Sequence, residues 1–320
     1  MLGMYFPSSC IASTKLLFST NLLGSSLILK HESDFSFYGM TPLPGWLSIC
    51  TAQGELSPRD IESQNYRALS AGNPGKIHVL AFDYRGFGNS TGSPSEKGLI
   101  VDALAIVDWA MNVADIPPSR IVIFGQSMGT AVAIAVSKHL ATQNPPIVLA
   151  GTILVAPFVD VATLVSTYRV AGTIPILSSI ARFPVLFKSL QQFIRDKWLS
   201  KDYIAEYVQA NELNRETYRL TIIHAEDDYD IPWNHSQLLF WHAVNASLPN
   251  GISYDELEQQ KLDSKNDLGA AGSVLEWVAP NGVIREEILK TGLHDVVMGY
   301  PIISMAVMRF FESADPTFII

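Results

Sequence analysis

The chain has little cysteine and little charge. Its 320 residues include two cysteines, Cys10 and Cys50, too few for a disulfide framework or a four-thiolate zinc site. Charged residues make up 17% of the chain and the net charge is −9, so it lacks the positive field that attracts nucleic acid or anionic headgroups. We therefore expect no nucleic-acid partner.

A long hydrophobic run is also missing. Residues 16–29 carry no charge, but polar residues and Gly24 interrupt them, and they fall short of the roughly 18 apolar residues that a spanning helix needs. The first cation, Lys15, lies behind the place where a secretory signal carries its basic residues. The sequence favours an intracellular protein with neither signal peptide nor transmembrane helix, and leaves peripheral contact with the endoplasmic reticulum membrane open.

The chain is instead rich in short apolar runs that alternate with helical patterns. Residues 76–82 and 120–124 have the composition of buried strands, and residues 99–110 between them repeat apolar side chains at helical spacing. This alternation predicts an α/β fold with a mostly parallel, doubly wound sheet. Further strands are expected at 147–155, 220–224, 274–277 and 283–289.

One connection is too long for an ordinary crossover. Residues 158–219, approximately, are rich in apolar and aromatic side chains and contain Pro175 and Pro184. They predict an inserted helical cap. Its apolar residues, mostly within 170–187, would pack on the core, line an acyl-chain tunnel or contact a membrane.

The strongest chemical signal is a G-x-S-x-G pattern, formed by Gly125, Gln126, Ser127, Met128 and Gly129. A predicted strand runs into it and an alanine-rich helical pattern follows, which is the setting of a nucleophile elbow. Glycines allow the tight turn, and the serine hydroxyl is then exposed at the helix N-terminus. The Met128 N–H would point at a developing oxyanion.

A serine nucleophile needs a base and an orienting carboxylate, in this setting in the order Ser, Asp, His. After the strand at 220–224 come three candidate acids, Asp227, Asp228 and Asp230. We favour Asp228 because Ile-Pro follows it at the usual spacing, and the other two remain alternatives. His294, in a loop behind the last strand, is the expected general base.

The remaining histidines predict no metal site. His78 and His224 lie on predicted strands as packed core side chains, and His235 and His242 lie seven residues apart on a helical pattern. No carboxylate at ligand spacing accompanies them. We therefore expect no bound metal.

A glycine pattern after the strand at 76–82 suggests a dinucleotide site only superficially. Gly86, Gly88 and Gly92 are out of register by one residue, and Pro94 separates the last glycine from the helix. A pyrophosphate could not reach a helix N-terminus there. We expect no organic cofactor.

Five motifs occur together in this chain: Asp83-Tyr84-Arg85-Gly86-Phe87-Gly88, Gly125-Gln126-Ser127-Met128-Gly129, Ala156-Pro157-Phe158, His224-Ala225-Glu226-Asp227-Asp228 and Gly292-Leu293-His294. With them the chain resembles the α/β-hydrolase family, specifically its ABHD12-like lipase branch in fungal form, from about residue 65 to residue 311. The resemblance implies the α/β-hydrolase fold for residues 65–320 with the cap at about 158–219, and it leaves residues 1–64 as an atypical segment.

The resemblance also implies an activity. It is that of a serine hydrolase that cleaves carboxylic esters, in this branch lipid acyl esters of the monoacylglycerol or lysophospholipid type, through Ser127, Asp228 and His294. The implied partner is a small acyl ester or a lipid. A thioesterase or peptidase of the same fold stays an alternative, and the sequence predicts no oligomeric state.

One family feature is missing. The family has a His-Gly pair in the strand before the Asp83 motif, where a loop donates the second oxyanion N–H, and no such pair precedes Asp83 here. The nearest substitute is a strand at 47–50 followed by Thr51, Ala52, Gln53 and Gly54. Loss of one oxyanion donor costs about 100- to 1000-fold in rate. Either these N–H groups replace it, or the chain is a catalytically impaired binding or scaffold protein.

The segment before that substitute is also unusual. The first 60 residues, approximately, show no recognisable version of the family's opening strands. A truncated or misassembled reading frame is one explanation.

Overall fold

The computed structural model describes residues 15–19, 26–29, 46–51, 67–88, 90–167, 169–170, 174–175, 194–264 and 266–318. Strands and helices alternate through this part of the chain. The strands are β1 (Lys15–Ser19), β2 (Ser26–Leu29), β3 (Trp46–Thr51), β4 (Ile77–Asp83), β5 (Ile121–Gln126), β6 (Gly151–Val155), β7 (Arg169–Val170), β8 (Ile174–Pro175), β9 (Tyr218–Ala225), β10 (Asn266–Asp267), β11 (Gly272–Val278) and β12 (Gly282–Leu289). The helices are α1 (Glu96–Asn112), α2 (Met128–Ala141), α3 (Val161–Thr167), α4 (Ser200–Asn214), α5 (Asn234–Ser247), α6 (Tyr254–Ser264) and α7 (Pro301–Ala314).

A ten-stranded sheet organises the described residues, in the order β10-β11-β12-β9-β6-β5-β3-β4-β1-β2. The six consecutive strands from β12 to β4 in this order are parallel to one another. The strands outside them, beginning with β11 on one side and β1 on the other, pair antiparallel. The predicted mostly parallel α/β sheet is confirmed. The pair β11 and β12 forms an antiparallel hairpin.

The central strands are apolar on both faces because both faces are covered. On β5, Ile121 and Ile123 pack into a cluster with side chains of α1, α2, α4 and α5. The alternate residues, Val122 and Phe124, pack into a second cluster with α7. A strand buried on both sides needs a continuous apolar run, which explains why the sequence pattern located β5 so directly.

Part of the segment expected as a cap packs on the core. Residues 200–214, inside the expected cap at 158–219, form α4, which packs against α2 and α5 and connects β6 to β9 as a crossover helix. Ile204 and Val208 of this helix are part of the main core. Between β6 and α4 the structure describes α3, β7 and β8. Residues 171–173 and 176–193, where most of the predicted acyl-chain or membrane contacts fall, lie outside the described residues.

The first 64 residues contribute three strands to the sheet. β3 covers the strand expected at 47–50 and lies between β4 and β5. β1 pairs with β4 and β2 pairs with β1, both antiparallel, so residues 16–19 and 26–29 belong to a sheet edge. Among the helices that the structure describes, none is both long enough and apolar enough to span a bilayer.

Candidate active site

Ser127 occupies the sharp turn between β5 and α2. Its backbone has φ 52° and ψ −123°, a conformation that residues other than glycine rarely adopt. Neighbouring groups hold it there: its N–H donates to the Val155 carbonyl at 3.0 Å, and its carbonyl accepts from the Thr130 hydroxyl at 2.6 Å. Strain of this kind, maintained by surrounding hydrogen bonds, is typical of functional positions.

The turn is tight enough to require glycine at position 125. A Cβ on Gly125 would lie 2.5 Å from the carbonyl oxygen of Gly129, in the first turn of α2. The glycine therefore lets the helix start directly against the strand. Met128, the first residue of α2, has no intrahelical acceptor for its N–H, which is the group expected to serve as an oxyanion donor.

Asp228 is buried in the loop behind β9 and is held at both carboxylate oxygens. Oδ1 accepts the N–H groups of Asp230 and Ile231, each at 2.9 Å. Oδ2 lies 2.8 Å from Nδ1 of His294. Burial would raise the pKa of the Asp228 carboxyl, but hydrogen bonds from His224 and His294 hold that pKa well below its usual range.

Asp227 holds the loop that carries the candidate base. Its Oδ1 accepts the N–H groups of Gly292 at 2.8 Å and Leu293 at 2.9 Å. On the other side of the loop, the Gln126 amide donates to the His294 carbonyl at 3.0 Å. The histidine loop is thus tied both to the end of β9 and to the residue before Ser127.

Of the three acids that the sequence offered, Asp228 is the one whose carboxylate bonds to the His294 ring, while Asp227 binds the loop backbone. With Nδ1 of His294 bonded to Asp228, Nε2 is the ring nitrogen left for proton transfer. Burial lowers the pKa of His294, but its hydrogen bond to Asp228 and the charges of Asp228, Asp295 and Asp230 raise it above 6.5 overall.

The same cluster has the composition of a cation site. Ligand atoms of Asp228, Asp230 and His294 lie within 4.8 Å of one another. However, Asp228 and His294 share a hydrogen bond of 2.8 Å, so a cation would have to displace the proton between them. The arrangement matches a hydrogen-bonded acid and base better than a metal centre.

The end of β3 lies beside the elbow. Thr51 is paired in register with Gly125, two residues before Ser127. Thr51, the last described residue of β3, therefore lies beside the turn that contains Ser127. Ala52, Gln53 and Gly54 lie outside the described residues, so a second oxyanion donor at 51–54 stays a prediction.

Three residues that contribute to this geometry were not predicted in these roles. Gln126 and Asp227 position the histidine loop. His224, expected as a packed core histidine, is indeed buried but also contacts Asp228, with Nε2 3.2 Å from Oδ2. The one signal for it in the sequence is its spacing, four residues before the acid.

Known proteins are similar to this chain at several levels. The family model described as "Alpha/beta hydrolase family" matches residues 43–259. Human protein ABHD12B is 31% identical over 186 residues, which are 58% of this chain and 46% of that protein. Lysophosphatidylserine lipase ABHD12 of Danio rerio is 30% identical over 197 residues, 60% of this chain and 45% of that protein. The chain thus matches under half the length of these relatives.

A solved structure shares the fold. Est1E from Butyrivibrio proteoclasticus, with ferulic acid bound, superposes with a TM-score of 0.54 at 12% identity, and the match covers 95% of this chain and 96% of that one. At this identity the likeness concerns the fold alone.

Proposed function

This chain belongs to the alpha/beta hydrolase family, and from that premise we propose that it is a serine hydrolase that cleaves carboxylic esters. One observation carries the proposal. The side-chain amide of Gln126, the residue before Ser127, donates to the backbone carbonyl of His294, and the His294 ring is hydrogen-bonded to Asp228. Ser127 itself has strained backbone geometry. These contacts support the roles of nucleophile for Ser127, base for His294 and orienting acid for Asp228.

In the proposed reaction, Ser127 Oγ attacks the ester carbonyl while His294 Nε2 takes the hydroxyl proton. Asp228 keeps the Nδ1 proton in place and stabilises the imidazolium that forms. The Met128 N–H stabilises the oxyanion. Return of the proton from His294 to the leaving oxygen releases the alcohol and leaves an acyl-enzyme. Water, deprotonated by the same histidine, then releases the carboxylic acid and restores Ser127.

We further propose lipid acyl esters, of the monoacylglycerol or lysophospholipid type, as substrates. The name of the Danio rerio relative supports this class. So does the surface beside the site: Tyr229, Leu293 and Val296, next to Asp228 and His294 in sequence, are 61%, 43% and 50% exposed. Exposed apolar side chains at this place suit an approaching acyl chain.

The competing proposal, an impaired hydrolase that only binds, depends on a missing oxyanion donor. The pairing of Thr51 with Gly125 favours an active enzyme, because the described end of β3 lies beside the elbow. An impaired protein would still carry an activated serine but would turn over ester near the background rate.

Hydrolysis of p-nitrophenyl butyrate, followed for the purified protein and for Ser127→Ala, tests the activity. We expect turnover in the wild type and a loss of about 10⁴-fold or more in the variant. A panel with a monoacylglycerol, a lysophospholipid, an acyl thioester and a peptide then tests the class. Equal turnover by Ser127→Ala would refute the serine mechanism, and preference for the thioester or the peptide would refute the lipid ester proposal.

A further inference from the structure

His224 lies near the end of β9 and is completely buried, with hydrogen-bond partners at both ring nitrogens. Nε2 is 3.2 Å from Asp228 Oδ2 and 2.9 Å from the Ile231 carbonyl oxygen. Nδ1 is 2.6 Å from the Ser236 hydroxyl of α5. One ring therefore joins β9, the loop that holds Asp228 and the helix behind it.

The partners determine where the proton of this ring lies. The Ile231 carbonyl can only accept a hydrogen bond, so Nε2 carries the proton and shares it between that carbonyl and Asp228. Nδ1 faces the Ser236 hydroxyl, which can donate or accept. His224 is thus an N–H donor toward Asp228 through Nε2.

We propose that His224 is a positioning residue of the active site, which holds Asp228 toward His294 and weakens the proton affinity of the Asp228–His294 pair. This inference rests on the proposed hydrolase function. It follows from the convergence of two imidazoles on one oxygen: Oδ2 accepts from His294 at 2.8 Å and lies 3.2 Å from His224 Nε2. The carboxylate cannot rotate away from His294 without breaking the second contact.

The effect on proton affinity has a definite sign. An N–H donor stabilises the carboxylate more when the pair carries a net negative charge than when His294 is an imidazolium. Removing it makes the pair bind a proton more strongly. The pair titrates as a unit, so the acid limb of kcat/KM moves to higher pH.

Other charged groups around the pair do not reverse this sign. The charges of Asp230 and Asp295 act directly on the His294 ring, and they raise its pKa whether or not His224 is present. On the side of α5, burial lowers the pKa of His235 to about 4, so that ring is neutral at working pH. Asp160 acts on His235 from the start of the cap insertion.

The test compares pH profiles of kcat/KM for His224→Phe, His224→Gln and a matched control. In His224→Phe we expect the acid limb to move up by about 0.5–1 pH unit and kcat to fall about 10- to 100-fold, with KM changed less than about threefold. His224→Gln, which can place an amide N–H near the position of Nε2, should restore most of both. The control is His78→Phe, at a second buried histidine on a central strand, and it should leave the profile unchanged.

A second measurement needs no turnover. In the Ser127→Ala background, NMR of ¹⁵N-labelled histidines reports the pKa of His294 with and without His224→Phe, and we expect the same upward shift. In the unsubstituted protein, Nε2 of His224 should carry a proton across the titration of His294. This reading remains available even if His224→Phe does not fold.

An unchanged His294 titration in folded His224→Phe, or a His224 whose Nε2 carries no proton, would overturn the positioning role. Absence of ester turnover in the wild type, in contrast, would overturn the proposed hydrolase function. The two failures are therefore distinguishable.

Discussion

Ser127 combines the proposed nucleophile with a backbone conformation, φ 52°, that glycine adopts more easily than serine or alanine. Both Ser127→Gly and Ser127→Ala should lose ester hydrolysis. Their stabilities should differ, because only the glycine relieves the strain. We expect the free energy of unfolding of Ser127→Gly, measured by urea denaturation, to be about 1 kcal/mol higher than that of Ser127→Ala. Equal stabilities would mean that the surrounding hydrogen bonds do not store strain at this residue.

The neighbouring acids Asp227 and Asp228 should differ sharply in their effect on rate. Asp228→Asn presents an amide to His294 and favours the wrong ring tautomer, so kcat should fall by about 10⁴-fold. Asp227→Asn keeps an amide oxygen that can accept the Gly292 and Leu293 N–H groups, and we expect a loss of about tenfold or less. Steady-state kinetics on one ester measures both. A larger loss for Asp227→Asn would reassign the acid.

The residues that the sequence identified at the site are those with a local signature. Ser127 has its glycines, Asp228 its spacing to Ile-Pro, and His294 its place behind the last strand. Gln126 acts through a contact across the fold: its amide reaches a carbonyl 168 positions away in the chain, and no periodicity or spacing encodes such a contact. His224 lies only four residues before Asp228, but that spacing alone does not distinguish it from a packed core histidine.

Among the secondary-structure elements, the close approach of the start of α2 to the end of β5 depends on Gly125. Gly125→Ala places a methyl group 2.5 Å from the Gly129 carbonyl oxygen, so strand and helix must separate. We expect the free energy of unfolding to fall by about 2–3 kcal/mol, together with a loss of ester turnover. Gly75→Ala is the matched control, since a Cβ there meets nothing within 4 Å, and it should change stability by less than about 0.5 kcal/mol. Similar results for the two variants in urea denaturation would contradict the close packing at the elbow.

Elements with a continuous apolar pattern were predictable and those without it were not. β4, β5 and β9 are buried on both faces and stand out in the sequence. β1 and β2 lie at a sheet edge. β1 is held there by pairing with β4, and β2 by pairing with β1, rather than by a strong local sequence pattern. α4 buries only a narrow stripe that includes Ile204 and Val208, so the sequence assigned it to the cap instead of to the core.

At the scale of the whole molecule, buried histidines make stability depend on pH. His235 accepts the Val159 N–H at Nδ1 and contacts the Thr167 hydroxyl through Nε2, and burial lowers its pKa to about 4. Between that value and 6.5 the unfolded chain binds a proton that the folded chain does not. Stability therefore falls as pH drops through this window, by about 2 kcal/mol between pH 7 and pH 5 from this residue alone.

The variant His235→Gln tests that contribution. It cannot bind the extra proton when unfolded, so its free energy of unfolding, from urea titrations at the two pH values, should fall less than that of the wild type. His294 acts with the opposite sign, because its raised pKa favours the folded state at low pH and this stabilisation is lost as pH rises through that pKa. An identical pH dependence in His235→Gln and wild type would show that His235 is not neutral in the folded protein.

The overall architecture was the most predictable level, since a parallel sheet covered on both faces imposes its pattern on many residues at once. The net charge of −9 and the apolar composition were compatible with several functions, and the ordered Ser, Asp and His favoured the serine-hydrolase chemistry that we propose. The least predictable part was the first 64 residues. Only three dimensions show that β3 enters the sheet beside the elbow.

The most direct test of the central claim is covalent labelling with a fluorophosphonate, followed by mass spectrometry of the digested protein. We expect a single phosphonylated residue, Ser127, in the wild type. We expect no adduct in Ser127→Ala and labelling at least about 100-fold slower in His294→Gln. An unlabelled wild type, or an adduct that persists in Ser127→Ala, would contradict the assignment of Ser127 as an activated nucleophile.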